Sequence, residues 1–184
     1  METFFAADLH LDHANIIKHS KRPFKDMEEM NETLIDNWNR VVGAKDVIYV
    51  LGDFAFTGRD AEEHLKRLKG RIRMLRGNHD NWLTNKNCFR YVDWVQDYHE
   101  LKVNKQLYVL SHYPIHSWNK RHYGSVHLYG HTHKDINIEY TDDFRPEYTG
   151  DFAPWDKYMC VSMECINYTP ISLSEVNRRF NIVY

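Results

Sequence analysis

Short apolar runs that stop abruptly at an aspartate or a histidine are the feature that most restricts what this sequence can fold into. Three of these runs are typical of buried strands: residues 3–7, 47–51 and 71–76. Between the first two, residues 26–42 carry apolar side chains at steps of three or four, and Asp26 precedes Glu29 at capping-box spacing, which predicts an amphipathic helix. A second, shorter helix is predicted from Asp60. The alternation predicts βαβ units whose parallel strands end on one side of a sheet.

The pattern changes beyond residue 90. Three further strands are predicted: residues 98–103, 106–110 and 125–129. Asn104 and Lys105 fit a two-residue hairpin turn between the first two of them. Residues 134–158 show no periodicity and are predicted to form a surface insertion, after which residues 159–176 resume with strand-like runs. A chain of 184 residues with this pattern predicts a single α/β domain over residues 1–184.

Composition excludes several classes of protein. The 24 basic and 26 acidic residues give a net charge of −2, so the chain as a whole gives no support to a nucleic-acid partner. The longest purely apolar stretch, residues 47–51, is too short to cross a membrane, and the first residues lack the pattern of a signal peptide. We therefore expect a cytoplasmic protein without a membrane partner. Three cysteines, an odd number without zinc-finger spacing, favour reduced packing residues: Cys88, Cys160 and Cys165.

Five of the predicted strands end in side chains that can hold a metal ion. These side chains are Asp8 and His10, Asp53, Asn78 and His79, His112, and His131 and His133. Because parallel strands end at the same edge of a sheet, we expect them to meet in one cleft. Oxygen and nitrogen ligands without thiolate suit Mn²⁺, Fe, Zn²⁺, Ni²⁺ or Co²⁺. With His79 set aside, the candidates are too many for one catalytic ion and fit a pair of ions that share a carboxylate.

In this order, the motifs resemble those of the calcineurin-like metallophosphoesterase superfamily. The matching blocks are Asp8-x-His10, Gly52-Asp53, Gly77-Asn78-His79-Asp80, a lone His112, and Gly130-His131-x-His133. The chain also resembles a group of compact bacterial and phage members, over residues 8–17, 21–24, 51–56 and 167–170. It departs from that group at Glu164 and Ile166, where similar chains carry an aspartate and a tryptophan. The resemblance implies a four-layer αββα sandwich, in which two mixed β-sheets are flanked by helices.

The resemblance also implies a role for each motif residue. Asp8, His10 and His133 are expected to hold one ion, whereas Asn78, His112 and His131 hold a second, and Asp53 bridges the two. The implied roles of His79 and Asp80 are to donate a proton to the leaving group and to orient that donor. The implied activity is hydrolysis of a phosphodiester or phosphomonoester by a metal-bridging hydroxide. Two divalent ions are the expected cofactors, Mn²⁺ first among them, and a phosphorylated small molecule or nucleotide is the expected substrate.

Several residues keep two interpretations at this point. His13, Asn15 and Arg22 either contact substrate phosphate or have local roles, with Asn15 as a helix cap and Arg22 paired with a surface acid. One basic run fits a solvated surface better than a nucleic-acid site: Lys66, Arg67, Lys69, Arg71, Arg73 and Arg76. The aromatic residues of the insertion fit the small core of a lid better than a base-stacking surface: Tyr140, Phe144, Tyr148, Phe152 and Trp155.

Two other functions compete with hydrolysis by this site. A catalytically silent binding scaffold of the same fold would tolerate loss of motif residues, yet every motif position is filled. A helical metal hydrolase of the His-Asp type is suggested by His79-Asp80, but the motifs here follow apolar strands. Five histidines have no motif support and are interpreted as ordinary residues: His64, His99, His116, His122 and His127.

Overall fold

A five-stranded sheet forms one half of the computed structural model, which describes residues 1–84, 88–135 and 156–183. Its strands are β1 (Thr3–Ala6), β2 (Val47–Leu51), β3 (Arg71–Leu75), β4 (Val92–Gln96) and β9 (Ile171–Ser172). They lie in the order β4-β3-β2-β1-β9, with β1 to β4 parallel and β9 antiparallel to β1. The parallel arrangement predicted for the first three strands is confirmed.

A four-stranded sheet forms the other half. Its strands are β5 (Tyr98–Val103), β6 (Gln106–Ser111), β7 (Val126–Tyr129) and β8 (Lys157–Cys160), in that order across the sheet. β5 pairs with β6 in antiparallel fashion, whereas β6, β7 and β8 are parallel. The predicted hairpin turn is confirmed, since Asn104 and Lys105 both adopt positive φ values, 47° and 73°, as a tight two-residue turn requires.

Helices flank the two sheets. They are α1 (Ala14–His19), α2 (Met27–Val41), α3 (Gly58–Arg67) and α4 (Leu173–Arg179). In α2 the Asp26 carboxylate accepts the backbone N–H of Glu29 at 2.8 Å, and Met30, Leu34 and Trp38 are buried, as the sequence pattern predicts. The predicted architecture of two mixed sheets flanked by helices is confirmed. No helix in the described part of the chain is both long and apolar enough to span a membrane.

The structure corrects two predictions about the end of the chain. Residues 173–176 were expected to be strand-like, but Leu173–Arg179 is helical because the Ser172 hydroxyl accepts the backbone N–H of Glu175 and caps the first turn. The predicted insertion also ends earlier than residue 158, since β8 begins at Lys157 and pairs with β7. Residues 136–155, with the five aromatic residues named for the insertion, lie outside the described residues.

The basic run lies on the surface and is paired with acids, as expected for a solvated face. Lys66 contacts Glu62 and Glu63, and Arg67 contacts Glu32. Arg71 and Arg73 both contact Asp93, and Arg76 contacts Asp97. Neighbouring carboxylates therefore offset most of the positive charge in this run. Cys88, Cys160 and Cys165 are free thiols, in agreement with the prediction of reduced cysteines.

His127 is a buried core residue, and its hydrogen bonds require the neutral imidazole. Its Nε2 accepts the backbone N–H of Ile115, and its Nδ1 donates to the carbonyl of Val109, both at 3.0 Å. Burial lowers the pKa of His127 to about 4, although the bond to Val109 acts to raise it. In the unfolded chain the same group titrates near its ordinary value of about 6.5.

We expect His127 to make the fold sensitive to acid. As the pH falls from about 6.5 to about 4, the unfolded chain takes up a proton at this position and the folded chain does not, so stability falls by about 3 kcal/mol. Urea unfolding of the wild type and of His127→Gln at pH 7 and pH 4 measures the effect. The difference in the free energy of unfolding between the two proteins should shrink towards pH 4, because only the wild type has an imidazole to titrate at this position. An unchanged difference would contradict this account.

Candidate metal centre

The candidate metal-binding residues all lie just beyond the carboxyl ends of β1, β2, β3, β6 and β7. The segments that follow β1 and β2 stay hydrogen-bonded to each other beyond the ends of those strands. The backbone N–H groups of His10 and Leu11 donate to the carbonyls of Asp53 and Phe54 at 2.9 and 3.0 Å. Five of the candidates have positive φ values, which non-glycine residues rarely adopt: Asp8, His10, Asp53, His131 and His133. Backbone strain of this kind concentrates at functional sites, where surrounding contacts hold it in place.

Two glycines of the motifs allow the segments to approach one another this closely. A Cβ atom on Gly77 would lie 2.1 Å from Oδ1 of Asp53, and one on Gly52 would lie 2.4 Å from Nδ1 of His112. Gly52 also has a φ of +88°, a conformation that other residues adopt only with strain. The glycines that precede Asp53 and Asn78 are therefore required by the packing of one ligand segment against the next.

A first ligand group consists of Asp8, His10 and His133. One ligand atom from each lies within 4.8 Å of the others, and Oδ1 of Asp8 is 3.9 Å from Nε2 of His10 and 3.8 Å from Nε2 of His133. The other oxygen of Asp8 is occupied, since it accepts the Ser162 hydroxyl at 2.5 Å and the backbone N–H of His131 at 2.9 Å. The structure thus holds Asp8 so that one oxygen faces two imidazoles.

A second ligand group consists of Asp53, Asn78, His112 and His131. Nε2 of His112 lies 3.5 Å from Oδ2 of Asp53 and 3.0 Å from Oδ1 of Asn78. Nδ1 of His131 lies 3.0 Å from the same Asn78 oxygen. Asp53 also reaches the first ligand group, because its Oδ2 is 3.6 Å from Nε2 of His10. Asp53 therefore lies between the two groups, with one oxygen near an imidazole of each.

The lone pairs in these groups fit a cation. Nδ1 of His112 is 2.8 Å from the carbonyl of Leu51, which can only accept, so a neutral imidazole carries its proton there and directs a lone pair at the oxygens of Asn78 and Asp53. Among the described residues, Oδ1 of Asp8 and Nε2 of His10 are buried without a hydrogen-bond partner. Unpaired buried acceptors are costly unless a ligand satisfies them. The Asp and His groups are thus able to bind metal.

Burial dominates the electrostatics of the site. It raises the pKa of Asp8 to about 8, despite the opposing charge of His133, and it lowers the pKa of His10 to about 2 with further help from the charge of Arg22. Burial also lowers the pKa of His131. Burial also acts to lower the pKa of His133. The hydrogen bond to Glu164 and the charges of Asp8 and Glu164 outweigh it, so the pKa of His133 is raised. The lowered pKa values of His10 and His131 favour the neutral imidazoles that metal binding needs, whereas the raised pKa values of Asp8 and His133 mean that these two residues release protons when a cation binds.

His79 lies beside the two groups, and Asp80 lies beneath it. One ligand atom of His79 falls within 4.8 Å of ligand atoms of His10 and Asp53, and its backbone N–H donates to Oδ1 of Asp53 at 2.8 Å. The Asp80 carboxylate accepts backbone N–H groups of Gly77, Asp53 and Phe54 at 2.7 to 3.0 Å. Asp80 therefore fixes the backbone segment that carries His79 against the segment that carries Asp53, a positioning effect exerted through the main chain.

An open cavity of about 390 Å³ adjoins the two ligand groups. Its lining contains five of the candidate ligands, together with His79, His13, Asn15, Ile16 and His19. The structure thus brings His13 and Asn15 to the cavity, as one of their two interpretations expects. His13 stacks on Phe56 with the ring centroids 4.8 Å apart. His19, at the end of α1, is a cavity residue that no motif indicated.

Arg22 does not contact the cavity, and its interpretation as a phosphate-binding residue is corrected. Only 4% of the residue is exposed. Its guanidinium donates to the carbonyls of Asp8 and Leu9 at 2.6 and 2.8 Å and to Oε1 of Glu164 at 2.7 Å. Those acceptors occupy donors on all three nitrogens, so Arg22 stabilises the segment that carries the first ligands. The acid that it pairs with is largely buried rather than on the surface.

Sequence reasoning missed two residues that contact the ligands. Glu164 lies 2.9 Å from Nδ1 of His133, and Ser162 donates to Asp8. Ser162 is placed there because Ala7 donates to the carbonyl of Val161 at 2.8 Å, which joins the end of β1 to the segment after β8. The departure noted at residue 164 was the one signal in the sequence that pointed to Glu164.

The fold and the site together define an α/β protein with two mixed sheets, flanking helices and Asp/His groups able to bind metal. The chain is 37% identical over 173 residues to the uncharacterized protein MJ1445 of Methanocaldococcus jannaschii, a match that covers 92% of this chain and 86% of the relative. The chain belongs to the same family as MJ1445. No protein-family model matches it.

A solved structure shares the fold. The crystal structure of the protein of unknown function AQ665 from Aquifex aeolicus superposes with a TM-score of 0.70 and 25% identity, covering 97% of this chain and 98% of that chain. The phosphoesterase YfcE from E. coli superposes with a TM-score of 0.42 and 20% identity, covering 72% and 70% of the two chains.

Proposed function

We propose that this protein is a metal-dependent phosphoesterase that hydrolyses a phosphodiester or phosphomonoester, with a nucleotide-like substrate. The observation that carries the proposal is the pair of ligand groups joined at Asp53. Within each group, acceptor atoms of neighbouring side chains face one another. Two ions that share a carboxylate are the arrangement used by two-metal phosphatases and nucleases. The residues fit this arrangement better than a single structural ion, which would need three or four ligands and no open cavity.

The proposal assigns one ion to Asp8, His10 and His133 and a second to Asn78, His112 and His131, with Asp53 shared. Mn²⁺ is the proposed metal, and Fe, Zn²⁺, Ni²⁺ and Co²⁺ are the alternatives, since oxygen and imidazole ligands without thiolate suit all of them. When bound, two divalent ions supply Lewis acidity towards phosphoryl oxygens and lower the pKa of water at the site. The ligand residues would hold that charge beside the 390 Å³ cavity, where an anionic phosphate would enter.

His79 is the proposed proton donor. Its ring centroid is 5.1 Å from that of His10 and 5.6 Å from that of His13, so it lies beside the first ligand group and lines the cavity. From this place an imidazolium can protonate the departing oxygen of an ester, a contribution of about 10²–10⁴-fold in rate. The contacts of Asp80 hold the His79 backbone in place, and His13 and Asn15 line the space where the ester's substituent would lie.

A catalytically silent binding scaffold is the alternative function. Such a protein needs neither a complete ligand set nor a proton donor beside it. Here the seven candidate ligands lie close together, and His79 lies beside His10, which supports a role as proton donor. These features favour turnover over binding alone.

A substrate panel tests the proposed activity. Protein stripped with a chelator is assayed with and without Mn²⁺ on an aryl phosphomonoester, a linear diester and cyclic nucleotides. We expect hydrolysis of at least one class that appears with Mn²⁺ and disappears with chelator. A protein that binds two ions per chain yet hydrolyses none of these esters would support the silent scaffold instead.

A further inference from the structure

A buried ion pair connects the two ends of the first ligand group. Oε1 of Glu164 lies 2.9 Å from Nδ1 of His133 and accepts from Nε of Arg22 at 2.7 Å. The side chain of Arg22 is fully buried, and that of Glu164 is 12% exposed. Glu164 and Arg22 are 142 residues apart in the chain, so this pair exists only because the tertiary fold brings them together.

The contact with Glu164 determines which nitrogen of His133 is free. Oε1 of Glu164 accepts the N–H of Arg22, and the same oxygen faces Nδ1 of His133, so Nδ1 is the donor in this contact. Nε2 of His133 then presents its lone pair towards Oδ1 of Asp8, 3.8 Å away. Histidine ligands of metals characteristically give their other N–H to a carboxylate, which fixes the ring and its tautomer.

Arg22 acts at the other end of the same group. It donates to the carbonyl of Asp8 at 2.6 Å and to that of Leu9 at 2.8 Å. Asp8 has a φ of 55°, a conformation that costs free energy unless contacts hold it. The two hydrogen bonds from a planar guanidinium supply such a restraint on the backbone that carries the Asp8 carboxylate.

The charges of the pair also matter for a cation. An unpaired guanidinium buried next to the ligand segment would repel a divalent ion, because burial weakens solvent screening. Glu164 neutralises it at 2.7 Å. The second ligand group lacks an equivalent among the described contacts: the Nδ1 of its His112 donates to the main-chain carbonyl of Leu51, which carries no charge.

We propose that Arg22 and Glu164 form a positioning pair that builds the first ligand group and sets its affinity for a divalent ion, independently of the second group. The proposal rests on the metal centre of the proposed function. Neither residue touches the reacting atoms. We expect Glu164→Gln to lower the affinity of the first group for a divalent ion about tenfold. This is the low end of the range for loss of a residue that supports a metal-binding histidine.

Calorimetric titration with Mn²⁺ in two backgrounds tests the pair. With the second group disabled by His131→Ala, adding Glu164→Gln should weaken binding of the remaining ion about tenfold. With the first group disabled by His10→Ala, the same substitution should leave binding of the remaining ion unchanged. Equal weakening in both backgrounds would indicate a general structural effect and overturn the proposal, as would no change in either.

Two further variants keep the test decisive. Glu164→Asp retains the charge beside Arg22 but withdraws the carboxylate by one methylene, so it should weaken the same ion even if Glu164→Gln does not fold. Glu175→Gln is the matched control, because Glu175 is a carboxylate paired with Arg178 and Arg179 on α4. It should bind both ions as the wild type does. Failure of the wild type to bind two ions would contradict the proposed function, whereas normal binding by both Glu164 variants would contradict only the positioning pair.

Discussion

Replacing Asp53 with asparagine is expected to weaken both ions together and to lower turnover by about a thousandfold, since the charge stabilisation at stake is several kcal/mol. The reason is its place between the groups: Oδ2 of Asp53 is 3.6 Å from Nε2 of His10 and 3.5 Å from Nε2 of His112. An amide keeps the shape of the side chain and removes its charge. Metal analysis after gel filtration, combined with ester hydrolysis, measures both effects.

Asp93→Asn is the control for this prediction. Asp93 is a partly exposed carboxylate that pairs with Arg71 and Arg73 on the first sheet, away from the ligands. Its variant should retain wild-type metal content and rate. An Asp53→Asn protein that still held two ions tightly would show that Asp53 does not bridge them.

Replacing His79 with alanine is expected to leave metal content unchanged and to reduce turnover by about 10²–10⁴-fold, the range for loss of a general acid. His79 lies beside His10 and Asp53, and its attachment to Asp53 runs through the backbone N–H, which alanine retains. The fold of the ligand segments should therefore survive. Steady-state rates at saturating Mn²⁺, measured with metal content on the same samples, separate proton donation from metal binding.

His122→Ala provides the matched control, since His122 is exposed and lies on the turn before β7. It should be indistinguishable from the wild type. Full activity in a metal-loaded His79→Ala protein would remove the role of proton donor. Loss of an ion from it would make His79 a ligand and equally contradict the assignment.

The elements that could be predicted from sequence are those whose burial is either continuous or regularly periodic along the chain. β2 is buried at every residue, so its apolar run is continuous, and α2 buries one face at helical spacing. β4 was missed because it is buried at Val92 and exposed at Asp93 and Gln96, which leaves no clear period. The helix α4 was mistaken for a strand because Ile171 and Leu173 alternate with serines, although Ser172 and Glu175 have capping spacing.

In the site, too, features with a local sequence signal could be predicted, whereas contacts between distant parts of the chain could not. The candidate ligands were found because each follows an apolar strand, a signal local to a few residues, and the parallel topology brings those strand ends together. The environment of the ligands was not predictable in this way. One of the two interpretations of Arg22 placed it near substrate because it follows the first motif. Its partners are instead the Asp8 carbonyl and Glu164, and only the folded chain brings them within reach.

Titration of chelator-treated protein with Mn²⁺, with hydrolysis of a phosphodiester followed in the same samples, tests the central claim most directly. The account predicts two ions bound per chain and activity that rises only as they bind. Binding of no ion, or a rate that is the same in chelator as in Mn²⁺, would contradict it.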